Sequence, residues 1–338
     1  MVSFHAGGAE MSTKDELLQL FETRKGEWLS GAEIAEKLQI SRTAIWKAVE
    51  TLRAEGYAIE AVRSRGYCLS PDTDIVSAQG VGKYLKKDLD ITVVEEVAST
   101  NTMLKELASE GAKEGRVVIA NSQTAGKGRM GRQFFSPKDS GVYISVLLRP
   151  RTVAPEKALK ITTMAAVAAS RAIEEVAPEE AKIKWVNDVF VNDLKVTGIL
   201  TEASMSMESG HLEYAVLGIG FNVYLPEGGF PEELKTIAGA ILQKKEPDAK
   251  NRIAASFLNH FFEIYDDPDH LHYEQYYKEK SLVLGKKVDV LSGTGTRRAE
   301  VLDITDDCNL VVRYEDGSEG ILSSGEVRIR PLKEGKSK

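Results

Sequence analysis

The sequence predicts an α+β protein of three domains, because its pattern of secondary structure changes twice along 338 residues. Residues 12–70 have the periodicity of three helices followed by two short strands, whereas residues 75–280 mix strands with helices. Residues 281–332 contain short alternating strands separated by Gly and Asp turns. A hydrophobic content of 42% is sufficient for packed cores in all three.

The two ends of the chain do not predict packed structure. Residues 1–11 lack the basic and apolar segments of a secretion signal, so we expect a disordered tail there and another at 333–338. Apolar runs in the sequence fall short of the ~18 residues that span a bilayer. Cys68 and Cys308 have no CxxC or Cys/His neighbours, which argues against a disulfide framework or a zinc site. We therefore expect a cytoplasmic protein without membrane association.

The first domain has the pattern of a winged helix-turn-helix. An apolar stripe marks its first helix, and Ser30 and Glu33 have the spacing of a capping box at the start of the second. Ser41 is a suitable N-cap for the third helix. Two strands, 57–61 and 66–69, follow on either side of a basic turn, which is the arrangement of a wing.

Positive charge is concentrated in this domain although the whole chain has a formal net charge of −7. Residues 41–67 carry five cations and three anions, so this segment is +2 and the rest of the chain is −9. In such domains the third helix reaches base edges, and the cations of the wing reach phosphates or the minor groove. The residues predicted to contact DNA are Ser41, Arg42, Thr43, Trp46, Lys47, Arg63 and Arg65. The alternative is a protein-interaction module with a solvated basic face, but such a module does not require this segregation of charge.

The central domain is predicted to be a mostly antiparallel sheet with helices on one face, because short turns join successive strands. Its predicted strands are 91–97, 116–121, 142–149, 182–186, 189–191, 196–203 and 212–223. Its predicted helices are 99–109, 155–176 and 251–280. The last domain is expected to close into a small barrel of five strands, at 287–291, 300–304, 310–314, 320–323 and 327–329.

A loop at residues 123–132, here called the basic glycine loop, joins two of the predicted strands. It contains three glycines and the cations Lys127, Arg129 and Arg132. Glycine lets a backbone approach a ligand closely and these cations bind phosphate or carboxylate, so the loop predicts a nucleotide or acyl-phosphate ligand. Its glycine spacing matches a dinucleotide motif, but a β-rich run follows instead of a helix, and Gly128 stands where a P-loop has Ser or Thr. The alternative is a flexible solvated loop.

A second group of charges lies on a predicted hairpin. Lys184 and Asp188 can face the same side of this hairpin because strand side chains alternate, and Lys195 can return beside them from the adjacent strand. The alternative, a surface hairpin with solvated charges, does not account for the apolar neighbours of Lys195. Since this hairpin and the basic glycine loop occur in one domain, we predict that the three residues are functional.

The order of these motifs resembles that of the bifunctional biotin protein ligases that also repress the biotin operon. The shared motifs are the winged helix, Ser99-Thr100-Asn101, the basic glycine loop, Lys184-Trp185-Val186-Asn187-Asp188, Lys195 with Gly198, Gly218-Ile219-Gly220 with Asn222, and the terminal small β-barrel (Src-homology-3-like). The resemblance covers nearly all of residues 12–332. It implies that ATP and biotin form biotinyl-5′-AMP, and that biotin then passes to one lysine of a biotin carboxyl carrier protein. It also implies Mg²⁺, operator DNA and a ligand-promoted homodimer.

The resemblance also implies a role for each site residue. The biotin-binding residues would be Ser99, Thr100, Asn101, Gln123, Gly126, Lys127, Gly128, Arg129, Lys195 and Gly198. The nucleotide-binding residues would be Arg132, Phe134, Lys184, Asn187 and Asn222, with the ring of Phe134 stacked on adenine. The catalytic residues would be Lys195, Arg129, Arg132, Lys184 and Asp188; the cations would stabilise developing charge, and Asp188 would orient or deprotonate the carrier lysine. A dedicated set of metal ligands is not expected.

Two positions depart from the family pattern. Lys127 stands where arginine is usual, and an ammonium cannot make the two-pronged contact of a guanidinium. Val186 stands where proline is usual. Two alternative functions are a lipoate-type ligase and a metabolite-sensing repressor without catalysis. The basic glycine loop argues against the first, and the presence of Lys195, Asp188 and Arg132 argues against the second.

Overall fold

The computed structural model describes residues 11–150, 158–205, 212–268, 272–292, 295–323 and 325–329. The predicted tails fall outside these residues, except for Met11, and so does the predicted start of the helix at 155–176. Within the part of the chain that is described, no helix has the length and apolar character that crossing a bilayer requires.

Three helices and a hairpin form the N-terminal domain, as predicted. Helices α1 to α3 and strands β1 and β2 span Thr13–Thr23, Gly31–Leu38, Arg42–Ala54, Ile59–Val62 and Gly66–Leu69. Ser12, Ser30 and Ser41 each cap one helix by accepting a hydrogen bond from a backbone N–H in its first turn. The capping box is only half formed, because the Glu33 carboxylate binds Arg24 at 2.5 Å.

A mixed sheet of seven strands forms the central domain. Strands β3 to β9 span Ile91–Val97, Val117–Gln123, Gly141–Leu148, Ala181–Lys184, Asp188–Val191, Leu194–Met205 and Leu212–Asn222. The strand order is β3-β4-β5-β9-β8-β7-β6. Strands β3 and β4 run parallel and the other neighbouring pairs run antiparallel, so each predicted strand is found and the sheet is mostly antiparallel.

Helices cover both faces of this sheet, so the prediction that they lie on one face is wrong. Helices α4 to α8 span Ala78–Gly82, Thr100–Ser109, Ala158–Glu174, Ala249–Asp266 and Tyr273–Glu279. Helices α6 and α7 pack in the main core with Val117 of β4, whereas Leu104 of α5 packs with Val118. Successive side chains of a strand point to opposite faces, so α5 lies across the sheet from α6 and α7. The predicted helix at 251–280 is two helices, and the short α4 was not predicted.

The C-terminal domain is an antiparallel sheet of five strands. Strands β10 to β14 span Lys287–Ser292, Gly295–Ile304, Leu310–Tyr314, Glu319–Leu322 and Glu326–Ile329, in the order β13-β12-β11-β10-β14. Its buried residues Val288, Val301 and Val312 belong to the main core of the central domain. Trp185 Nε1 also donates a hydrogen bond to the Cys308 carbonyl at 2.9 Å, so the two domains are packed against each other.

A buried group of charges joins the N-terminal domain to the central domain. Lys83 Nζ lies 2.7 Å from Glu22 Oε2 and 2.5 Å from Asp248 Oδ2, and Lys25 Nζ lies 3.0 Å from Asp248 Oδ1. The side chains of Glu22 and Asp248 are only 1% and 6% exposed. Two lysines thus balance two buried carboxylates, and loss of one lysine would leave a buried charge uncompensated.

The same contacts make this junction sensitive to acid. Burial by itself would raise the pKa of Asp248, but hydrogen bonds from Lys83 and Asn251 outweigh burial and leave that pKa below its ordinary value of 3.8. A carboxylate with a lowered folded-state pKa stabilises the fold above its unfolded pKa and loses this effect as pH falls through the folded pKa. The contribution of Asp248 is therefore complete above about pH 4 and is lost in stronger acid.

We expect Lys83→Met to lower the free energy of unfolding by about 3 kcal/mol, because Glu22 and Asp248 would then share one lysine in a buried place. Lys87→Met is the matched control: its pair with Asp266 is about half exposed, and such pairs contribute less than about 1 kcal/mol. Urea denaturation followed by tryptophan fluorescence measures both variants. Equal losses in the two would show that the buried group does not stabilise the junction.

Candidate active site

Three glycines on two paired strands leave a hollow in the sheet face that carries α5. Gly198 of β8 pairs with Gly220 of β9, and Gly218 lies one side-chain step away on the same face of β9. A Cβ at Gly198 or Gly220 would overlap the Phe134 ring, and one at Gly218 would overlap the Asn101 side chain. These positions therefore require glycine because other side chains approach the backbone closely.

An inner pocket of about 50 Å³ lies over this hollow. The structure brings nine residues predicted to bind biotin to its wall: Ser99, Thr100, Asn101, Gln123, Lys127, Gly128, Arg129, Lys195 and Gly198. Gly126 is not in the wall. Its carbonyl accepts a hydrogen bond from Phe134 N at 2.9 Å, and a Cβ there would meet Phe134 O and Ser136 Oγ. Gly126 therefore supports the conformation of the basic glycine loop and is not part of the pocket wall.

Polar side chains at the wall of the inner pocket form a hydrogen-bond network. Gln123 Oε1 accepts from Thr100 N at 2.9 Å, and Gln123 Nε2 donates to Ser136 Oγ at 2.9 Å. Ser145 Oγ lies 2.8 Å from Thr100 Oγ1 and 2.6 Å from Asn101 Oδ1. Ser145 was not predicted, although a serine in the otherwise apolar strand β5 is a signal that sequence analysis could have used.

Glu202 ends this network on strand β8 and was not predicted either. It accepts from Asn101 Nδ2 at 2.8 Å and from Lys105 Nζ at 2.5 Å. Burial by itself would raise the pKa of Glu202, but the hydrogen bonds from Lys105 and Asn101 outweigh it and lower that pKa. The side chain is therefore a carboxylate at neutral pH and acts only as an acceptor.

A larger outer cleft of about 690 Å³ opens beside the inner pocket. All residues predicted to bind the nucleotide line it: Arg132, Phe134, Lys184, Asn187 and Asn222. Gly128, Arg129, Phe134, Asn187 and Lys195 line both cavities. One elongated ligand can therefore extend from the inner pocket into the outer cleft, whose volume is in the range of small-molecule sites.

Lys195 and Asp188 form an ion pair where the two cavities meet. Lys195 Nζ lies 2.6 Å from Asp188 Oδ1, and the two side chains are 27% and 21% exposed. Asp188 is the cross-strand partner of Lys184, and Asn187 Nδ2 donates to Asp188 Oδ1 at 3.1 Å. The hairpin thus places Lys184, Asp188 and Lys195 together, as the alternation of strand side chains predicted. The Trp185–Val186 peptide bond within this hairpin is cis.

Arg129 fixes the basic glycine loop to two other parts of the protein through hydrogen bonds of its guanidinium group. Its Nη1 donates to Asn187 Oδ1 at 2.9 Å, and its Nη2 donates to the Gly325 carbonyl of the C-terminal domain at 2.9 Å. The next two residues, Met130 and Gly131, have positive φ angles of 56° and 73° and form an exposed tip. Arg129 therefore links the loop, the hairpin and the C-terminal domain.

Phe134 lies at the boundary between the two cavities. Its ring packs over Gly198 and Gly220 and makes an edge-to-face contact with Tyr143, with ring centroids 6.4 Å apart. The side chain is half-buried and also lines the outer cleft. One aromatic surface is thus available to a ligand in that cleft.

In the N-terminal domain, each residue predicted to contact DNA is exposed. A groove of about 400 Å³ between the start of α3 and the hairpin is lined by Arg42, Arg63 and Arg65. The Arg65 guanidinium lies 4.2 Å above the Trp28 ring, a contact that sequence analysis missed. The Ser41 hydroxyl is engaged as the N-cap of α3.

Family models match three parts of the chain. Residues 93–222 match the Biotin/lipoate A/B protein ligase family, residues 13–68 match the HTH domain, and residues 283–330 match the Biotin protein ligase C terminal domain. Together with the joined cavities, these matches define the class of the protein as a biotin protein ligase with an N-terminal helix-turn-helix domain.

Comparison with individual proteins shows which family within this class the chain belongs to. The chain is 35% identical over 322 residues to the bifunctional ligase/repressor BirA of Bacillus subtilis, covering 92% of this chain and 97% of the relative. BirA of Escherichia coli is 31% identical over 201 residues, covering 59% and 60%. A structure of biotin protein ligase from Aquifex aeolicus in complex with biotin and ATP has a TM-score of 0.58 and 25% identity, covering 72% of this chain and 99% of that one. The chain belongs to the family of bifunctional biotin protein ligase/repressors, and the resemblance stated above is confirmed.

We expect Gly218→Ala to lower the free energy of unfolding by about 2 kcal/mol, because the added methyl group must displace the hydrogen-bonded side chain of Asn101. Gly31→Ala is the control: its Cβ would have no neighbour within 4 Å, and it lies in a helix, where alanine is favourable. Chemical denaturation of both variants measures the difference. A Gly218→Ala chain as stable as Gly31→Ala would contradict the close approach.

Proposed function

We propose that this ligase joins biotin to ATP to form biotinyl-5′-AMP, and then transfers biotin to one lysine of a biotin carboxyl carrier protein. The observation that carries the proposal is that the inner pocket and the outer cleft meet at Lys195 and Arg129. A biotin whose ring system occupies the inner pocket would direct its carboxylate to the cations that face an ATP in the outer cleft. Carboxylate and α-phosphorus would then be held together for attack, with pyrophosphate as the leaving group.

Positive side chains would stabilise the charge that develops in this first step. Lys195 and Arg129 face both cavities, and Arg132 and Lys184 line the outer cleft. Charged donors held in a partly closed site stabilise a transition state more than they would in water. In the second step the amine of the carrier lysine attacks the acyl carbon, and AMP leaves.

Asp188 is our candidate for handling the carrier lysine. Its carboxylate pairs with Lys195 at 2.6 Å, and a bound biotin carboxylate or phosphate would compete for that same lysine. Asp188 would then be available to orient or deprotonate the incoming amine, whose ordinary pKa of about 10.4 keeps it mostly unreactive at neutral pH.

The remaining site residues would bind the two ends of the intermediate. The ring of Phe134 would stack on adenine, with Asn187 and Asn222 facing its polar edge; the half-buried ring in the outer cleft supports this. Ser99, Thr100, Asn101 and Gln123 would surround the ureido group in the inner pocket. The other residues predicted to bind biotin, Gly126, Lys127, Gly128 and Gly198, would border the ligand or support the loop that does.

Mg²⁺ would enter the site with the triphosphate. Among the described residues, no group of three or more His, Cys, Asp or Glu side chains is arranged to hold a metal ion. Phosphate oxygens and water would therefore supply most of its ligands, which is common for Mg²⁺ bound to nucleotides.

The same intermediate would act as a corepressor. We propose that biotinyl-5′-AMP orders the basic glycine loop and favours a homodimer through the central domain, which would pair two α3 helices on a palindromic operator. The exposed basic residues of the N-terminal domain support binding to operator DNA. The carrier protein would compete for the same face, and both activities would take place in the cytoplasm.

The domain boundaries that suit this function are 12–70, 75–280 and 281–332. The C-terminal sheet would close as the small Src-homology-3-like barrel. Its Val327 and Arg328 line the outer cleft, and its Gly325 carbonyl binds Arg129, so this domain would help to enclose the nucleotide.

Lys195→Ala should lower biotin-dependent release of pyrophosphate from ATP by about 100-fold or more, because a charged donor would be missing between carboxylate and phosphate. Lys182→Ala is the matched control, since Lys182 lies on the same hairpin with a half-exposed side chain near Glu180. The assay also follows biotin transfer to a carrier domain, with unlabelled biotin and lipoate as competitors. Retention of most activity by Lys195→Ala would contradict the role given to Lys195, equal competition by lipoate would contradict the preference for biotin, and a wild-type chain without biotin transfer would contradict the ligase function.

Lys47→Ala should weaken binding to a palindromic DNA fragment, selected from a random library by the wild-type protein, and lower the salt slope of log K by about 1. Lys37→Ala in α2 is the control, because this exposed lysine lies outside the predicted DNA contacts. Fluorescence anisotropy at several salt concentrations, with and without biotin and ATP, gives both quantities. Equal slopes in the two variants would exclude the Lys47 contact, and equal affinity with and without ligands would exclude the corepressor.

A further inference from the structure

Ser145 and Glu202 lie behind the wall of the inner pocket and form hydrogen bonds with the wall residues Thr100 and Asn101. Ser145 is fully buried on β5, and its hydroxyl contacts both Thr100 and Asn101. Glu202 lies on β8 and contacts Asn101 from the other side. Neither Ser145 nor Glu202 is in the wall of the inner pocket.

The orientation of the Asn101 amide is set by these neighbours. Its Nδ2 donates to Glu202 Oε2 at 2.8 Å and lies 3.4 Å from the Leu200 carbonyl, and both partners can only accept. Its Oδ1 therefore faces Ser145 Oγ at 2.6 Å. A flipped amide would place the amide oxygen of Asn101 against the Glu202 carboxylate, and two acceptors without a hydrogen between them repel each other. The observed contacts use the hydrogens of Asn101 Nδ2 and one lone pair of its Oδ1, so that Asn101 can offer a ligand in the inner pocket only an acceptor.

The hydrogens of the two hydroxyl groups can now be assigned. Asn101 Oδ1 has no hydrogen, so the 2.6 Å contact uses the single hydrogen of Ser145. With the hydrogen of Ser145 used in this way, the single hydrogen of Thr100 can go either to Ser145 Oγ, at 2.8 Å, or to another acceptor. The one other protein acceptor near Thr100 Oγ1 in the network is Gln123 Oε1, at 3.1 Å. In either arrangement the hydrogen of Thr100 stays within the protein, and Thr100 offers a ligand only an acceptor.

We propose that Ser145 and Glu202 are positioning residues for biotin, which set Thr100 as an acceptor for a ureido N–H. This inference rests on the proposed ligase function and adds the means by which the inner pocket matches the donor groups of a cyclic urea. Glu202 fixes the Asn101 amide, the amide fixes the hydrogen of Ser145, and Ser145 and Gln123 are then the two acceptors for the hydrogen of Thr100. Because neither positioning residue lines the inner pocket, each would act on biotin through its neighbours.

The contacts that link Glu202 and Ser145 to Asn101 and Thr100 should affect the binding of biotin but not of ATP, because they end at the inner pocket. Ser145→Ala should raise the KM for biotin about tenfold, since Asn101 Oδ1 loses its donor and Thr100 loses the closer of the two neighbours that fix its hydroxyl group. The KM for ATP and kcat should stay within about twofold, as expected for loss of ground-state binding. Glu202→Leu should also raise the KM for biotin, because the Asn101 amide would lose the partner that sets its orientation. Glu202 is partly exposed, so a substitution there disturbs the fold less than one at the fully buried Ser145. Steady-state biotinylation of a carrier domain measures all three constants.

Ser170→Ala is the matched control, because Ser170 is equally buried but lies on α6 at the opposite face of the sheet. Its KM for biotin should equal that of the wild type. An unchanged KM for biotin in both Ser145→Ala and Glu202→Leu would overturn the inference, and so would equal increases for biotin and ATP or an equal increase in Ser170→Ala. A wild-type chain that fails to transfer biotin would instead overturn the proposed function, and the inference with it.

Discussion

The site depends on a steric constraint: two adjacent strands must lack side chains on one face of the sheet. Gly198, Gly218 and Gly220 leave room for the Asn101 side chain and the Phe134 ring to lie directly on the backbone. Filling any of these positions would displace a group that the pocket uses. A protein interior is too closely packed to absorb even one added methyl group without movement. The position of the inner pocket, and its separation from the outer cleft by an aromatic ring, both follow from this hollow.

Charge is arranged around the hollow so that cations are held in place before a ligand arrives. Arg129 is fixed by Asn187 and by the Gly325 carbonyl, and Lys195 is fixed by Asp188. Positioned donors of this kind need little reorganisation when negative charge develops. Because one of the partners belongs to the C-terminal domain, that domain is part of the support of the site and not an appendage. The Trp185 hydrogen bond to the Cys308 carbonyl adds a second connection between the same domains.

A separate group of charges carries the connection to the DNA-binding domain. Glu22, Lys25, Lys83 and Asp248 are buried together and balance one another, so the N-terminal domain is held in one orientation by contacts that are costly to break singly. A ligand that pairs two central domains would then also set the distance between two α3 helices. The basic surface of α3 faces solvent, which leaves it accessible while the junction is closed.

The sequence by itself determined the features of this protein that depend on neighbouring residues in the chain. Serine N-caps and strand alternation predicted most helices and strands, including the bounds of β3, and the basic glycine loop and the hairpin predicted the cations of the site. The resemblance to the ligase family supplied the other predicted site residues. Tertiary structure alone decided that α5 covers the opposite face, that Ser145 and Glu202 hold Asn101, and that Arg129 reaches Gly325. These contacts join residues 44, 101 and 196 positions apart, and no local periodicity specifies which distant segments meet. Only the pairing of strands and the packing of domains bring them within hydrogen-bond distance.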